Sequence, residues 1–514
     1  MIVKNEERFL AECLESVREL VSEMVIVDTG SSDRTVEIAR RYGARVIHHQ
    51  WTGNFAQARN VGLAQATQPW ILYLDADERL HAPHHPAVRK AVSENRADAF
   101  YIRVKSEVRG VLGNMPHVQA YPRLFRKLPG VRFVGRVHEQ ITPSLQANKA
   151  RFALLDAEIE HLGYNQSDEI LQQKIERNLA YLEKQVAEEP DNPYARFQLG
   201  QTYILANRVE EGEAQLRQAI HQGTLSPPLK GTALLILANE AYKRGQYQEA
   251  IELARQSLQV APHQRLGWFL ISDSQAALKN WAAALEALEQ VEKYQGLAHS
   301  DLSMDKLFPS EVLAQRRGVY CFQLQDYAGA VSSLGAYLQA SKSPRTSSLA
   351  KFVVALQKHP AAHPQALQAV ENCVNHLADF DDTPQAIGLL YELCERLGQG
   401  ALQQKLLEQA VALFPDEAKY LFYLGTLHLN KGHLSEAARY LKRAEQLAPD
   451  VYEVQYNLGA LAIKQGRLSD AVRRFEHIVR QFPEHRQVAR RKLAGLYLKM
   501  GAVEQALPLM AQLT

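Results

Sequence analysis

Residues 70–78 read Trp-Ile-Leu-Tyr-Leu-Asp-Ala-Asp-Glu: five apolar residues running straight into an acidic cluster. A short apolar run of this kind is a buried strand, and Asp75-Ala-Asp-Glu78 lies at its C-terminal end. The same grammar occurs upstream. Met24-Val-Ile-Val27 is a second apolar run, ending at Asp28-Thr-Gly-Ser-Ser-Asp33. Thr35–Tyr42 then has helical spacing, and Ala44-Arg-Val-Ile47 is a further strand. Short strands alternating with helices predict an α/β, Rossmann-like domain with a mostly parallel sheet. In such sheets ligands bind outside the carboxyl ends of the strands, where both acidic clusters fall.

From about residue 164 the strands give way to helical periodicity and a repeat. Leu424-Gly425 recurs as Leu458-Gly459, Gly432 as Gly466, Ala437 as Ala471 and Pro449 as Pro483, each 34 residues on. Gly501 and Ala506 follow at 35, Ala250 and Ala284 are again 34 apart, and Leu199-Gly200 with Tyr203 opens an earlier unit. This is the tetratricopeptide pattern, in which small residues let paired helices approach closely. The spacing breaks near 222–230 and again around 295–310. We expect an all-α solenoid of eight or nine helix pairs over 164–514, behind an α/β domain over 1–163. A solenoid of this type usually presents a concave binding surface.

The bulk properties fit two such units. A chain of 514 residues exceeds one hydrophobic core, and 46% hydrophobic with 23% charged residues is ordinary for a globular protein. No run approaches the roughly 18–20 uncharged apolar residues of a membrane span. Charges at Lys4, Glu6, Glu7 and Arg8 interrupt any signal-peptide core, so a cytoplasmic location is expected. Cys13, Cys321, Cys373 and Cys394 form no CxxC pair and suggest neither disulfides nor zinc. Net charge is only +2, but residues 79–136 hold twelve Lys and Arg against Glu94, Asp98 and Glu107. That excess suits an anionic ligand, or peripheral attachment at the inner membrane surface; a solvated basic face is the plainer alternative. No nucleic-acid partner is expected.

Asp75 and Asp77, two apart on an extended backbone, project to the same side. Two hard oxygen donors suit Mg²⁺ or Mn²⁺, with substrate phosphates completing the shell. Alone, Asp-x-Asp is as well explained by a solvated turn. Asp28 could accept a hydrogen bond from a base or ribose, while Ser32 and Asp33 have a sufficient role as helix caps. Arg59, in Asn54-Phe-Ala-Gln-Ala-Arg-Asn60, offers a planar fork for phosphate or a base edge, or a surface salt bridge. His138 and Glu139, in Phe133-Val-Gly-Arg-Val-His-Glu139, could supply a metal ligand and a general base, or be a surface pair.

Taken in order, MIVKNEE, IVDTGSSDRT, NFAQARN, WILYLDADE and VGRVHEQI resemble the family 2 glycosyltransferases. The likeness is to the subgroup in which a short catalytic domain is fused to tetratricopeptide repeats, which includes glycosyltransferases of bacteriocin peptides. The resemblance covers about residues 1–163. It implies a GT-A fold, a nucleotide-diphosphate-sugar donor (usually a UDP-sugar), and inverting hexosyl transfer by single displacement. It places Val3, Asn5 and Glu6 at the nucleotide end, Asp28 on uracil or ribose, Arg59 on base or phosphate, and Asp75 on ribose or sugar. Asp77 would hold the metal, with Asp75 and His138 as further ligand candidates. Glu139 is the preferred base and His138 a metal or phosphate ligand, although those two roles are interchangeable. Family members usually have several apolar residues before the first motif, so here the first strand is expected to be short or to start upstream of Met1. Lack of an apolar C-terminal segment suggests a single linkage and not a processive polymer. The acceptor is expected to be a peptide, protein or glycolipid, with the solenoid recruiting it, holding a partner protein or mediating self-association. Two other readings compete: an interaction scaffold with a degenerate catalytic domain, and a nucleotidyltransferase. MIVKNEE lacks the Gly-rich basic loop of the latter.

Overall fold

The computed structural model describes residues 1–110, 113–162, 168–295 and 308–512. The first elements are β1 (Ile2–Val3), α1 (Leu10–Val17), β2 (Val25–Asp28), α2 (Thr35–Arg41) and β3 (Arg45–His48). The three strands form a parallel sheet in the order β1-β2-β3, with Ile2 opposite Val27 and Val25 opposite Arg45. Each strand is joined to the next by a helix, as parallel pairing requires. Leu10, Cys13, Leu14 and Val17 give α1 one buried stripe at helical spacing. Leu10 and Leu14 of that stripe meet Val3, Ile26 and Ala39 in the core.

Next come α3 (Phe55–Gln65), β4 (Trp70–Leu72), β5 (Glu78–Arg79), α4 (His85–Glu94), β6 (Ala99–Gly110), β7 (Gly113–Arg126), α5 (Thr142–Ala147) and β8 (Phe152–His161). Their strands form a second sheet in the order β4-β7-β6-β8-β5. Only β6 and β8 pair in parallel in this sheet; the other pairs are antiparallel. The parallel sheet of the sequence reading holds β1, β2 and β3, whereas the expected strand at 70–74 supplies β4, which pairs antiparallel with β7 in the mixed sheet. Phe100, Ile102, Leu124, Leu155 and Ile159 fill its core with Leu74 and Leu80. β1 is two residues long, and the amino group of Met1 donates to the Val25 carbonyl at 3.0 Å. A cavity of about 290 Å³ lies beside it, lined among others by Met1, Val25, Gly62, Trp70, Ile71 and Tyr73.

The chain forms two compact units, Met1–Pro309 and Ser310–Thr514. The expected boundary at 163/164 lies outside the described residues, as does most of the expected break at 295–310. In the first unit, α6 (Asp168–Glu188), α7 (Pro193–Leu205) and α8 (Val209–His221) follow β8. α7 and α8 cross through paired glycines: a Cβ on Gly200 would stand 2.9 Å from the Gly212 carbonyl oxygen. This explains the Leu199-Gly200 signature. In the second unit the same position is Gly425, whose Cβ would meet Leu441 at 2.8 Å. Ala437 and Ala471, the other period markers there, are fully buried. Among the described residues, eighteen helices follow one another from Pro193 to Ala511, most of them packed as pairs of neighbours. The pattern loosens at Thr346–Lys358 and His363–Asn375, both of which pack against helix Tyr327–Ala340. Among the described residues no helix is long and apolar enough to cross a membrane.

Candidate active site

The loops after β1 and β2 interlock. Asn5 adopts a left-handed conformation (φ 57°). Its amide donates to Ser31 Oγ at 3.0 Å, and its Oδ1 accepts from the Ser32 amide at 2.8 Å. The Glu6 amide donates to Thr35 Oγ1 at 2.7 Å, and Asp33 Oδ1 accepts from the Thr35 amide at 2.9 Å. Gly30 turns the chain at φ 105°, a conformation that favours glycine. Buried Val3 contributes its carbonyl, which accepts from the Thr29 amide at 3.0 Å and from Thr29 Oγ1 at 3.1 Å. Asp28 is 4% exposed; its Oδ1 accepts from the Ser31 amide at 3.0 Å and its Oδ2 lies 3.1 Å from His48 Nδ1. Burial opposes its charge, but the bonds from Ser31 and His48 outweigh that and hold the carboxyl below its usual range.

Beyond β4 lies a chain of alternating charges: Glu139, Arg59, Asp75, Arg123, Glu78. Arg59 Nη2 donates to Asp75 Oδ1 at 2.6 Å, and Arg59 Nε donates to Glu139 Oε1. Arg123 Nη2 donates to Glu78 Oε1 at 2.5 Å and stands 3.8 Å from Asp75 Oδ2. The side chains of Arg59 and Glu139 are each 9% exposed, and Glu78 is 1% exposed. Arg59 lies over the rings of Tyr73 and Phe133 at 5.3 and 5.7 Å, and Arg123 over Tyr73 at 4.4 Å. Burial opposes the charge on Asp75, yet the two guanidinium groups hold its carboxyl well below the usual range. Glu78 goes the other way: burial, with Asp75 close by, raises it to about 6 despite Arg123.

Asp77 points elsewhere. Its Oδ2 lies 3.3 Å from His161 Nε2, at the end of β8. Burial and the negative charges of Asp77, Asp75 and Asp33 push Glu6 up to about 7, against the pull of Lys174 on α6. Glu6 and Asp77 are therefore close enough to feel each other's charge.

The last segment is tied to α3. Asn60 and Phe133 exchange two hydrogen bonds, at 2.9 and 2.8 Å, and the Phe55 amide donates to the Arg136 carbonyl at 2.8 Å. Val134 and Gln140 pair as an isolated antiparallel bridge, enclosing the turn that carries His138 and Glu139. His138 has φ 53° and an exposed side chain.

The structure therefore joins Arg59, Asp75 and Glu139 directly, and sets Glu6 near Asp77. The ligand set Asp75, Asp77 and His138 is not assembled: among the described residues no three acidic, His or Cys groups converge as a metal-holding cluster. The reason is local. Asp75 is committed to two guanidinium groups, and the imidazole bonded to Asp77 is that of His161. Arg59, expected on a base or phosphate, is buried between two carboxylates. Arg123, Glu78 and His161 escaped the sequence reading. Their signal was present: Arg123 interrupts the apolar strand residues Tyr121-Pro-Arg-Leu-Phe125, and a buried charge needs a partner.

Comparison with known proteins agrees with this organisation. Residues 1–144 match the family described as Glycosyl transferase family 2. Tetratricopeptide repeat families match residues 170–231, 236–298, 403–452, 428–490 and 462–514. A TPR repeat-containing protein of Synechococcus elongatus is 34% identical, over 50% of this chain and 65% of the relative. The glycosyltransferase SunS of Bacillus subtilis is 27% identical over 43% of this chain and 52% of the relative. A lipopolysaccharide core biosynthesis glycosyltransferase of Rhizobium meliloti is 31% identical over 29% of this chain and 58% of the relative. The chain thus spans between about half and two thirds of the length of these relatives.

Proposed function

From a chain that joins a family 2 glycosyltransferase domain to tetratricopeptide repeats, we propose an enzyme that transfers a sugar, with inversion, from a nucleotide-diphosphate sugar to an acceptor recruited by the solenoid. The observation that carries this reading is the buried chain Glu139–Arg59–Asp75–Arg123–Glu78, set beside the acidic region of Glu6 and Asp77. Residues 1–163 form the donor-binding domain in this account, and 164–514 the solenoid. We take the donor to be a UDP-sugar, and the transferred group a hexosyl unit.

The carboxylate oxygens of Asp77 and Glu6 are hard donors of the kind a divalent cation, Mg²⁺ or Mn²⁺, takes. Asp77 is the ligand we assign, with Glu6, whose carboxyl is pushed up by burial and then by the charge of Asp77, as a neighbouring carboxylate. When bound, the cation supplies charge neutralisation for the leaving diphosphate. The chain's own residues do the rest. Val3, Asn5 and Asp28 line the nucleotide end, with Asp28 fixed by Ser31 and His48 to accept from ribose or base. Arg59 orients two carboxylates at once, Asp75 toward the donor and Glu139 toward the acceptor. Glu139 takes the proton of the acceptor hydroxyl as that oxygen attacks the anomeric carbon and the nucleoside diphosphate departs. His138, exposed next to it, contacts phosphate or acceptor in this account. The acceptor is a peptide, protein or glycolipid, and the work is cytoplasmic, with the basic segment favouring attachment at the inner membrane surface.

The test is Glu139→Gln, which keeps shape and one hydrogen bond to Arg59. Turnover should fall by a factor of about 10² or more, the scale of lost general-base assistance, while binding of UDP with Mn²⁺ persists. Undiminished turnover would remove Glu139 as the base.

A further inference from the structure

We propose that the first solenoid helices, α6 and α7, belong to the catalytic centre, with Tyr194 and Gln185 as positioning residues for the turn that presents His138 and Glu139. This rests on the reading of Glu139 as the base. The turn 135–140 needs outside support, because Gly135 (φ 103°) and His138 (φ 53°) both lie in the left-handed region, where a non-glycine residue is strained. The α/β domain holds one side of it, through the Val134–Gln140 bridge, the Phe55–Arg136 bond and the Arg59–Glu139 pair. The helices hold the other.

Tyr194 on α7 donates its hydroxyl to the His138 carbonyl at 2.8 Å, and itself accepts from Gln198 Nε2 at 2.6 Å. Burial raises the phenol well above its usual value, so it remains a donor throughout the working range. Gln185 on α6 is 3% exposed, and its Oε1 accepts from the Arg136 amide at 3.1 Å. Glu188, one turn on, binds the Arg136 guanidinium at 2.5 Å. Between these bonds Val137, 4% exposed, packs against Leu179, Leu182, Leu199 and Tyr203 of the two helices. Three consecutive residues, Arg136, Val137 and His138, are thus each gripped by a different solenoid group. The residue that follows them is Glu139. A backbone shift of about 1 Å at such a point is enough to cost a hundredfold in rate, since proton transfer depends on reach and alignment.

The test uses the full-length chain. Tyr194→Phe deletes one hydroxyl and keeps the ring. Tyr497→Phe is the control: it removes a tyrosine hydroxyl bond between two helices of the second unit, from Tyr497 to Glu476 at 2.8 Å, and deletes no group that holds the turn. Amide hydrogen exchange over 135–140, UDP release from UDP-glucose with Mn²⁺, and calorimetric binding of UDP with Mn²⁺ are measured for each. We expect Tyr194→Phe to speed exchange at 135–140 and to lower kcat about tenfold to a hundredfold, with UDP affinity within about twofold of wild type. Tyr497→Phe should match wild type in all three. Should Tyr194→Phe prove unstable, Gln185→Met, which keeps volume and removes the acceptor, makes the same prediction. Unchanged exchange at 135–140, or unchanged kcat, overturns the inference. Wild-type protein that neither binds UDP with Mn²⁺ nor releases UDP would sink the UDP-sugar reading instead, and the exchange arm would still decide whether α6 and α7 hold the turn.

Discussion

Arg59→Met separates the charge of the central guanidinium from its volume, and its cost follows from what it leaves behind. Arg59 bonds Asp75 and Glu139 and sits over two aromatic rings; methionine keeps the apolar stem in that place. Glu139, at 9% side-chain exposure, loses its cation, and removing one partner of a buried ion pair costs about 3–5 kcal/mol. Asp75 adds less, because it is 35% exposed and keeps Arg123 at 3.8 Å. We therefore expect a loss of about 3 kcal/mol near neutral pH, at the lower end of that range. The loss must shrink in acid. In the wild type Asp75 titrates far below its unfolded value, so its contribution is present above that value and fades as pH falls through the depressed one. In the variant the orphaned carboxyl groups can take up protons and become neutral, which burial tolerates. Urea unfolding of the 1–309 unit, followed by tryptophan fluorescence at pH near 7.5 and near 5, measures both effects. Adding Glu139→Gln to Arg59→Met should recover about half of the loss. A cost below about 1 kcal/mol, or one equal at both pH values, would refute the argument that Arg59 exists to hold the two carboxylates.

Two further outcomes follow from the acidic region. Asp77→Ala should abolish metal-dependent binding of the nucleotide sugar while leaving the fold intact, because among the described residues the Asp77 side chain bonds His161 alone, and it is 19% exposed; metal-dependent binding retained by the variant would remove Asp77 as the ligand. Glu6 titrates at about 7 in the folded protein, above its unfolded value, so the native state binds this proton the more tightly and stability falls as pH rises through that range. In metal-free buffer Glu6→Gln should match wild type near pH 4 and exceed it by about 1 kcal/mol near pH 8, the full shift being reduced by solvent screening at a partly exposed group. A stability difference independent of pH would contradict this.

The parts that sequence disclosed are those encoded by local periodicity. The 34-residue spacing of Leu-Gly pairs is a packing requirement written into the chain, since Gly200 and Gly425 each touch a neighbouring helix where no Cβ fits. The runs ending at Asp28 and Asp75 are apolar because both faces of those strands are covered. What stayed hidden depends on tertiary meeting. Asp75, Arg59 and Glu139 are each visible as candidates, but only folding shows that they neutralise one another. The mixed sheet escaped because β6 and β8 pair in parallel across 40 or more residues, and β7 is recognisable only beside them. The grip of α6 and α7 on residues 136–138 has no sequence signal in either partner. Val137 is one apolar residue among polar neighbours, and Tyr194 reads as an ordinary repeat residue.

The most direct test of the central claim is donor binding. Thermal unfolding of the full chain would be followed with UDP-, GDP- and dTDP-sugars, each with and without Mn²⁺. A rise in melting temperature with one donor that depends on the metal and disappears in Asp77→Ala is the predicted result. Folded protein that responds to none of them would contradict the glycosyl-transfer account and favour an interaction scaffold.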